Sequence, residues 1–390
     1  MQYVRSITGV LSDHLGWHRA RLKFMARFTA GLLQLQTANL WKIAVSLKAG
    51  VQDESNHRRI QRFLSDYDLD FTALGSLLVK LLPQTPPYVA VVDRTEWHFG
   101  ETPVNILMVG IAHRGIAFPV AWTVLSKGGS SRAGDQIEVL ERFLAVVGAS
   151  SIEALVADRE FISIDWIQCL QEKEIPFAVR LRSDRHIGLS PEGPSLPARM
   201  FARRCSVGQE ERLEDWNYLS GANGKQAEVD VLVRRIAAGR KDSEEDSFLI
   251  LAIWKIDSSK ATSLYRQRWE IETMFAALKS RGYRLEQTHL TEPDRIQRPV
   301  GLLSVAFAWT HIVGERRAER EGLPPKKTHG RRERSLFRYG LDRLQSILTT
   351  PERQPQAFFA CLTGVRSPTA FLSRTQAFDS EQHHRALNSP

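Results

Sequence analysis

This 390-residue sequence predicts an α/β protein, a mixed sheet flanked by helices, with helical regions before and after it. Three observations carry that reading. Residues 1–85 hold helix-spaced apolar positions that stop at the Pro83, Pro86 and Pro87 cluster. Three short β-branched runs follow, and then helix and strand alternate. Between about 183 and 256, Gly, Pro and Ser punctuate short strand-like runs, which predicts a β-rich insertion ahead of a long helix. The expected organisation is thus a helical region over 1–85, an α/β domain over 86–315, and a basic, partly helical region over 316–390.

Helices are expected over Trp17–Leu35, Asn39–Leu47 and Ser55–Leu64, each with apolar residues at helical spacing and no proline. In the third, Arg58 and Arg62 are four apart and share a face, while Ile60, Phe63 and Leu64 occupy a neighbouring face that can pack inward. Asn56, His57 and Gln61 add polar groups. Such a helix can lie on DNA or be a solvated face of a helical bundle. Strands follow over Tyr88–Val92, Asn105–Ala112 and Ile116–Leu125, with Arg114-Gly115 as the turn between the last two. Asp135–Val147 is amphipathic, Ala154–Ala157 is a strand, and Ile164–Lys173 is a helix that Ser163 can cap. Phe177–Leu181, Val229–Arg234 and Phe248–Trp254 read as further strands. One long helix is expected over Ser259–Arg281, ended by Gly282, and an apolar one over Pro299–Val313. Residues 316–338 are basic and broken by Gly322-Leu323-Pro324-Pro325, and the last residues are polar.

With 43% apolar and 25% charged residues, the chain is not disordered. No stretch reaches the ~20 apolar residues of a membrane span. The N-terminus lacks the pattern of a secretory signal and reads as complete, and Cys169, Cys205 and Cys361 are too scattered for a disulfide framework or metal spacing. A cytoplasmic protein is expected. The net charge of +9 divides into +5 over 1–85, −4 over 86–256 and +8 over 257–390. Basic ends suit a polyanion such as DNA, although many soluble proteins are equally basic.

Two acidic residues, Asp93 and Asp158, are each expected to terminate an apolar strand, where ligand sites gather in open sheets. On the long helix, at 100° per residue, Tyr265, Arg268, Glu272 and Lys279 fall within one 60° stripe beside the apolar face of Leu264, Ile271, Met274, Phe275 and Leu278. Glu270 lies far from that stripe, and Arg268 with Glu272 could equally form an ordinary surface ion pair. Glu96, Glu160 and Asp165 are expected to turn elsewhere. His57, His98, His113 and His311 show no metal spacing and are expected to be structural or solvated.

The spacing Tyr265-x2-Arg268-x3-Glu272-x6-Lys279 resembles the Y-R-E-K signature of the IS4 family of DDE transposases. Val92-Asp93 and Ala157-Asp158-Arg159-Glu160-Phe161 resemble that family's two aspartate motifs, in order, over a resemblance running from about 88 to 315. It implies an RNase H-like fold in which Asp93, Asp158 and Glu272 hold two Mg2+ ions, with Mn2+ able to substitute. Two such ions, ~3.5–4 Å apart, suit in-line displacement at phosphorus. The resemblance further implies that Tyr265, Arg268 and Lys279 bind the terminal nucleotides of a transposon. A hairpin intermediate would follow, with a flipped base stacked on an insertion aromatic, for which Trp216 and Trp254 are candidates. The expected partners are double-stranded DNA, as terminal inverted repeats and target, and a second copy in a homodimer; no membrane is involved. Bound to DNA, the protein would be nucleoid-associated. A structure-specific nuclease on the same fold, or a catalytically silent DNA-binding derivative, are the alternatives.

Overall fold

The computed structural model describes residues 2–349 apart from 48–49, 222–223, 237–246 and 329–331. Five helices open the chain: α1 (Gln2–Ser12), α2 (Arg19–Leu35), α3 (Leu40–Ser46), α4 (Asp53–Asp66) and α5 (Phe71–Leu81). The Asn39 side chain caps α3 by accepting from Lys42 N at 3.0 Å, and Asp70 caps α5 through Ala73 N at 2.9 Å. Next come β1 (Tyr88–Phe99), β2 (Thr102–His113), β3 (Ile116–Leu125), α6 (Ala133–Val147), β4 (Ile152–Ala157), α7 (Ile164–Glu172) and β5 (Phe177–Arg180). Ser163 does cap α7, accepting from Trp166 N at 3.3 Å.

The stretch expected as an insertion divides between two sheets. One four-stranded sheet is made of β6 (His186–Gly188), β7 (Ser195–Pro197), β9 (Tyr218–Ser220) and β10 (Gln226–Glu228); α8 (Ala198–Ala202) and β8 (Glu210–Arg212) lie between them in sequence. By contrast, β11 (Asp230–Arg235) and β12 (Phe248–Trp254) extend the main sheet. That sheet has eight strands in the order β3-β2-β1-β4-β5-β12-β11-β8. Its β1–β2–β3 meander is antiparallel, β1, β4 and β5 run parallel, and β12 returns antiparallel to β5. With helices packed on it, this is the mixed α/β sheet flanked by helices that the sequence predicts. Near-continuous burial along β2, β3 and β4 fits strands covered on both faces.

The long helix expected over 259–281 is two, α9 (Ser258–Arg266) and α10 (Trp269–Leu278). Between them Gln267 N, Arg268 N and Glu270 N donate three residues back, to Leu264, Tyr265 and Gln267, so the chain tightens into 3₁₀ geometry. At Gly282 a Cβ would sit 2.0 Å from the Ala277 carbonyl oxygen, so only glycine allows the chain to fold back there.

The last helices are α11 (Pro293–Glu321), buried along most of its length, and α12 (Leu336–Thr349). They cross backbone to backbone: a Cβ on Gly314 would lie 1.9 Å from Leu336 O, and one on Gly340 1.9 Å from Thr310 O. The N-terminal helices join this core. Ile7, Leu11, Phe28 and Leu32 share one apolar cluster with residues of α11, α12 and the sheet. Tyr3 Oη donates to Ile347 O at 3.2 Å, and the Arg298 guanidinium donates to the Leu64 and Tyr67 carbonyls. Residues 350–390, including Cys361 and the polar tail, lie outside the described residues; Cys169 and Cys205 are buried free thiols. Among the described residues no helix is long and apolar enough to cross a membrane.

The glycine crossing has a measurable cost. Gly340→Ala should destabilise the protein by at least ~1–3 kcal/mol, because the helices must part to admit one methyl group. Gly9→Ala on α1, where nothing lies within 4 Å of the added Cβ, should be neutral or stabilising by up to ~1 kcal/mol. Urea unfolding of the two variants beside the wild type checks both.

Candidate active site

Strands β1 and β4 pair in parallel up to Val92↔Ala157. One residue further, the two chains carry Asp93 and Asp158 side by side. Asp158 follows the last residue of β4, as the sequence suggests. Asp93 differs from expectation: β1 continues to Phe99, paired there with β2 alone. It therefore marks where β1 parts from β4, not where β1 ends. Parting strands open a crevice at the carboxyl edge of the parallel pair. Both carboxylates are fixed in the same way, each Oδ1 accepting a 2.8 Å hydrogen bond from the next backbone N–H, of Arg94 and of Arg159.

Helix α10 packs across β1, β2 and β3 and brings Glu272 to this crevice. The element that joins Glu272 to Asp93 is Arg268, at the 3₁₀ turn. Its guanidinium is buried, with Nη1 2.9 Å from Glu272 Oε1 and 3.5 Å from Asp93 Oδ2. Burial pushes the Asp93 carboxyl up to about 7; Arg268 and the Arg94 N–H pull it down, while Glu272 and Asp158 push it up again. Asp93 thus feels both other acids. The Glu272 side chain is 42% exposed, so the cluster is open to solvent on that side.

Tyr265 is buried below Arg268. Its hydroxyl is pushed up to about 12, chiefly by burial, against the pull of Arg268. Tyr265 Oη and Arg268 Nε are buried without a hydrogen-bond partner among the described residues. Lys279 caps the end of α10, donating at 3.2 Å to Thr95 Oγ1 and to Glu96 O, with its ammonium 5.2 Å from the centre of the Trp97 ring. Of the four stripe residues, Tyr265 and Arg268 are buried, Glu272 is on the exposed side, and Lys279 is held on β1.

Glu96 and Glu160 turn away from the cluster, as expected, and have a shared task. Arg94 links them, Nε to Glu160 Oε2 at 2.6 Å and Nη1 to Glu96 Oε2 at 2.9 Å. Their carboxylates in turn accept from Gly129 N and from Ser131 N and Oγ, so the network ties the loop before α6 to β1. Asp165 pairs with Lys225. Glu270 lies off the stripe and is buried against the β2–β3 hairpin, facing the backbone N–H groups of His113 and Gly115; burial pushes it up to about 8.

Other expectations fall elsewhere in the fold. On α4, Arg58, Gln61 and Arg62 are exposed, but Asn56 is buried and cannot reach a ligand. His57 packs edge-on against Trp41. Trp216 packs on Phe201, its ring centre 4.9 Å away. Trp254 stacks on Phe177 and carries the Lys255 ammonium over its ring. Its register partner is Phe177, two residues before the Val179 that pairs with Ala157, so it sits toward the sheet edge opposite Asp158. The exposed aromatic beside the cluster is Trp269, its ring centre 4.4 Å from the Arg268 guanidinium carbon. His113 and His311, far apart in sequence, come together with Glu315. These histidines show no metal spacing in the sequence; the one local signal is the four-residue step from His311 to Glu315, which the expectations above do not single out.

The sheet thus carries Asp93 and Asp158 at one edge, with Glu272 linked to Asp93 through Arg268. Residues 85–309 match the family model described as Transposase DDE domain, and the chain belongs to that family. It is a DDE transposase by family, a class of nucleotidyl-transfer enzymes. The cryo-EM structure of a piggyBac transposase synaptic complex with hairpin DNA is similar over the whole of this chain and 83% of its own, at 12% identity and a TM-score of 0.44. No curated protein matches the sequence.

Glu270 offers a test of the site's supporting wall. Its folded value lies above the ordinary carboxylate value of 4.5, so it costs nothing at acid pH and destabilises increasingly as pH rises from about 4.5 to about 8. Glu270→Gln should therefore raise the melting temperature at pH 8, on the order of 2–4 kcal/mol of stabilisation, and leave it nearly unchanged at pH 4.5. Thermal unfolding at the two pH values measures it.

Proposed function

We propose that this chain is a cut-and-paste transposase of the IS4 type, with Asp93, Asp158 and Glu272 as its catalytic acids. The convergence of these three carboxylates, from β1, β4 and α10, around one buried guanidinium supports the reading most directly. Their donor set suits Mg2+: all oxygen, all carboxylate, with one side open for water and substrate. A cation is already accommodated among them in the form of Arg268. Bound there, two Mg2+ ions, or Mn2+, would supply charge to the attacking and leaving oxygens at phosphorus.

The protein's own groups do the rest. The Arg94 and Arg159 backbone N–H groups hold the two aspartates in place. Glu272, on the exposed side of the cluster, meets the DNA strand first. Lys279 stands at the end of α10 to hold a phosphate as a point charge, while Arg268, drawn off Asp93 when metal binds, would turn to a phosphate with Tyr265 beside it. Among aromatics, Trp269 is better placed for a base than Trp216 or Trp254, each of which has an aromatic partner. Terminal inverted repeats would be bound through the exposed arginines of α4, and two protomers would pair two ends. Cleavage would follow the hairpin route.

Cutting of a labelled duplex carrying the element's ends tests the proposal. Mg2+-dependent cleavage should fall by at least ~10³-fold in Asp158→Asn, with binding retained. Binding without cleavage in the wild type would instead favour the silent derivative, and cleavage indifferent to terminal sequence the nuclease. Arg58→Ala with Arg62→Ala should weaken binding at all sequences alike and reduce the salt slope by about 2, read from binding isotherms at several salt concentrations.

A further inference from the structure

A second cluster of metal-ligating side chains lies away from the acidic crevice. His113 is the last residue of β2; His311 and Glu315 are one turn apart on α11 and so share a face. One ligand atom from each lies within 4.8 Å of the others, and all three side chains are 3–4% exposed. In the register of β2, His113 is five residues beyond Met108, the partner of Asp93. That is a displacement of ~17 Å along the strand, so the two clusters are separate.

The hydrogen bonding within the cluster calls for a cation. His113 Nδ1 lies 3.0 Å from Gln84 Oε1, which can only accept, so Nδ1 carries the proton. In a neutral His113 the Nε2 lone pair would then face Glu315 Oε1 at 2.9 Å, acceptor against acceptor, so the contact holds either a second proton on His113 or a metal ion. Both nitrogens of His311 are buried with no hydrogen-bond partner, and Nε2 is 3.4 Å from the same Glu315 oxygen. Buried polar groups left in this state are costly. Tetrahedral ligands at ~2.0–2.2 Å from Zn2+ stand ~3.3–3.5 Å apart; here Glu315 Oε1 lies 2.9 Å from His113 Nε2 and 3.4 Å from His311 Nε2, so small side-chain shifts would admit the ion.

We propose that His113, His311 and Glu315 form a structural site for one divalent ion of the Zn2+ type. Two imidazoles and a carboxylate are a donor set for borderline metals, unlike the all-carboxylate crevice. Gln84 is the group that fixes the tautomer of His113, as outer-shell partners of metal-bound histidines do. The rings of Phe118 and Phe307 pack against the histidines, and one water would complete the tetrahedron. An ion here would fasten three parts of the fold: the connector from α5 to β1 that carries Gln84, the β2–β3 hairpin, and α11. Its role is to hold the N-terminal helices on the sheet, with no part in strand cleavage.

The full chain, expressed in zinc-supplemented medium and desalted through a chelating column, would be assayed for metal by mass spectrometry. An Asp93→Asn/Asp158→Asn variant, with the acidic crevice disabled, would be run beside it. About one Zn2+ per chain is expected in both, and Co2+ loading should give the visible absorption of a tetrahedral site. His311→Gln should lose the ion, and Gln84→Leu should weaken its binding 10–100-fold. Wild-type protein that carries no zinc and shows no Co2+ spectrum would overturn the site and leave a buried ion pair in its place. So would zinc that disappears with the aspartates and persists in His311→Gln. The wild-type and double-aspartate measurements decide the matter even if a histidine variant fails to fold.

Discussion

The buried guanidinium of Arg268 is the interaction on which the acidic crevice depends. Three carboxylates brought together repel, and Asp93 is largely withdrawn from water. Without a cation among them, the cluster would either protonate or push α10 away from the sheet. Arg268 answers both problems with one group, reaching Glu272 at 2.9 Å and Asp93 at 3.5 Å. Without Arg268 the largely buried Asp93 would be left without its cation. The 3₁₀ turn between α9 and α10 fits this role, because it sets Arg268 where the two helices meet, below the mouth of the crevice. Charge and helix geometry thus meet at Arg268.

The sheet supports that arrangement from the other side. Parallel pairing of β1 with β4 ends at Val92↔Ala157, which sets Asp93 and Asp158 together and opens the crevice beyond them. Continuation of β1 with β2 to Phe99 supplies the wall on which Lys279 and the Arg94–Glu96–Glu160 network rest. The helical N-terminus and α12 complete the same core through α11, so the exposed arginines of α4 are carried on a packed body.

Much of this was legible in the sequence because it rests on local patterns. The strand run ending at Ala157, the cap at Ser163 and the apolar face of Ile271, Met274 and Phe275 follow from periodicity and polar punctuation. The stripe of Tyr265, Arg268, Glu272 and Lys279 was visible as well, although a uniform 100° step cannot show the 3₁₀ turn inside it. What escaped depends on tertiary pairing. That β11 and β12 belong to the main sheet is decided by hydrogen bonds to β5 across some 70 residues. Asp93 was expected to end its strand because the apolar run stops there, yet the antiparallel partner carries β1 onward. The inward orientation of Arg268, and the meeting of His113 with His311 and Glu315, depend on contacts between elements distant in sequence.

The most direct test of the central claim is a crystal of the full chain soaked in Mn2+ and read by anomalous scattering. Anomalous peaks bounded by Asp93, Asp158 and Glu272, with the Arg268 guanidinium drawn off Asp93, are the expected result. Mn2+ bound elsewhere, with Arg268 still seated between Asp93 and Glu272 at saturating metal, would contradict it: the acids would then be a structural ion-pair network and not a catalytic centre.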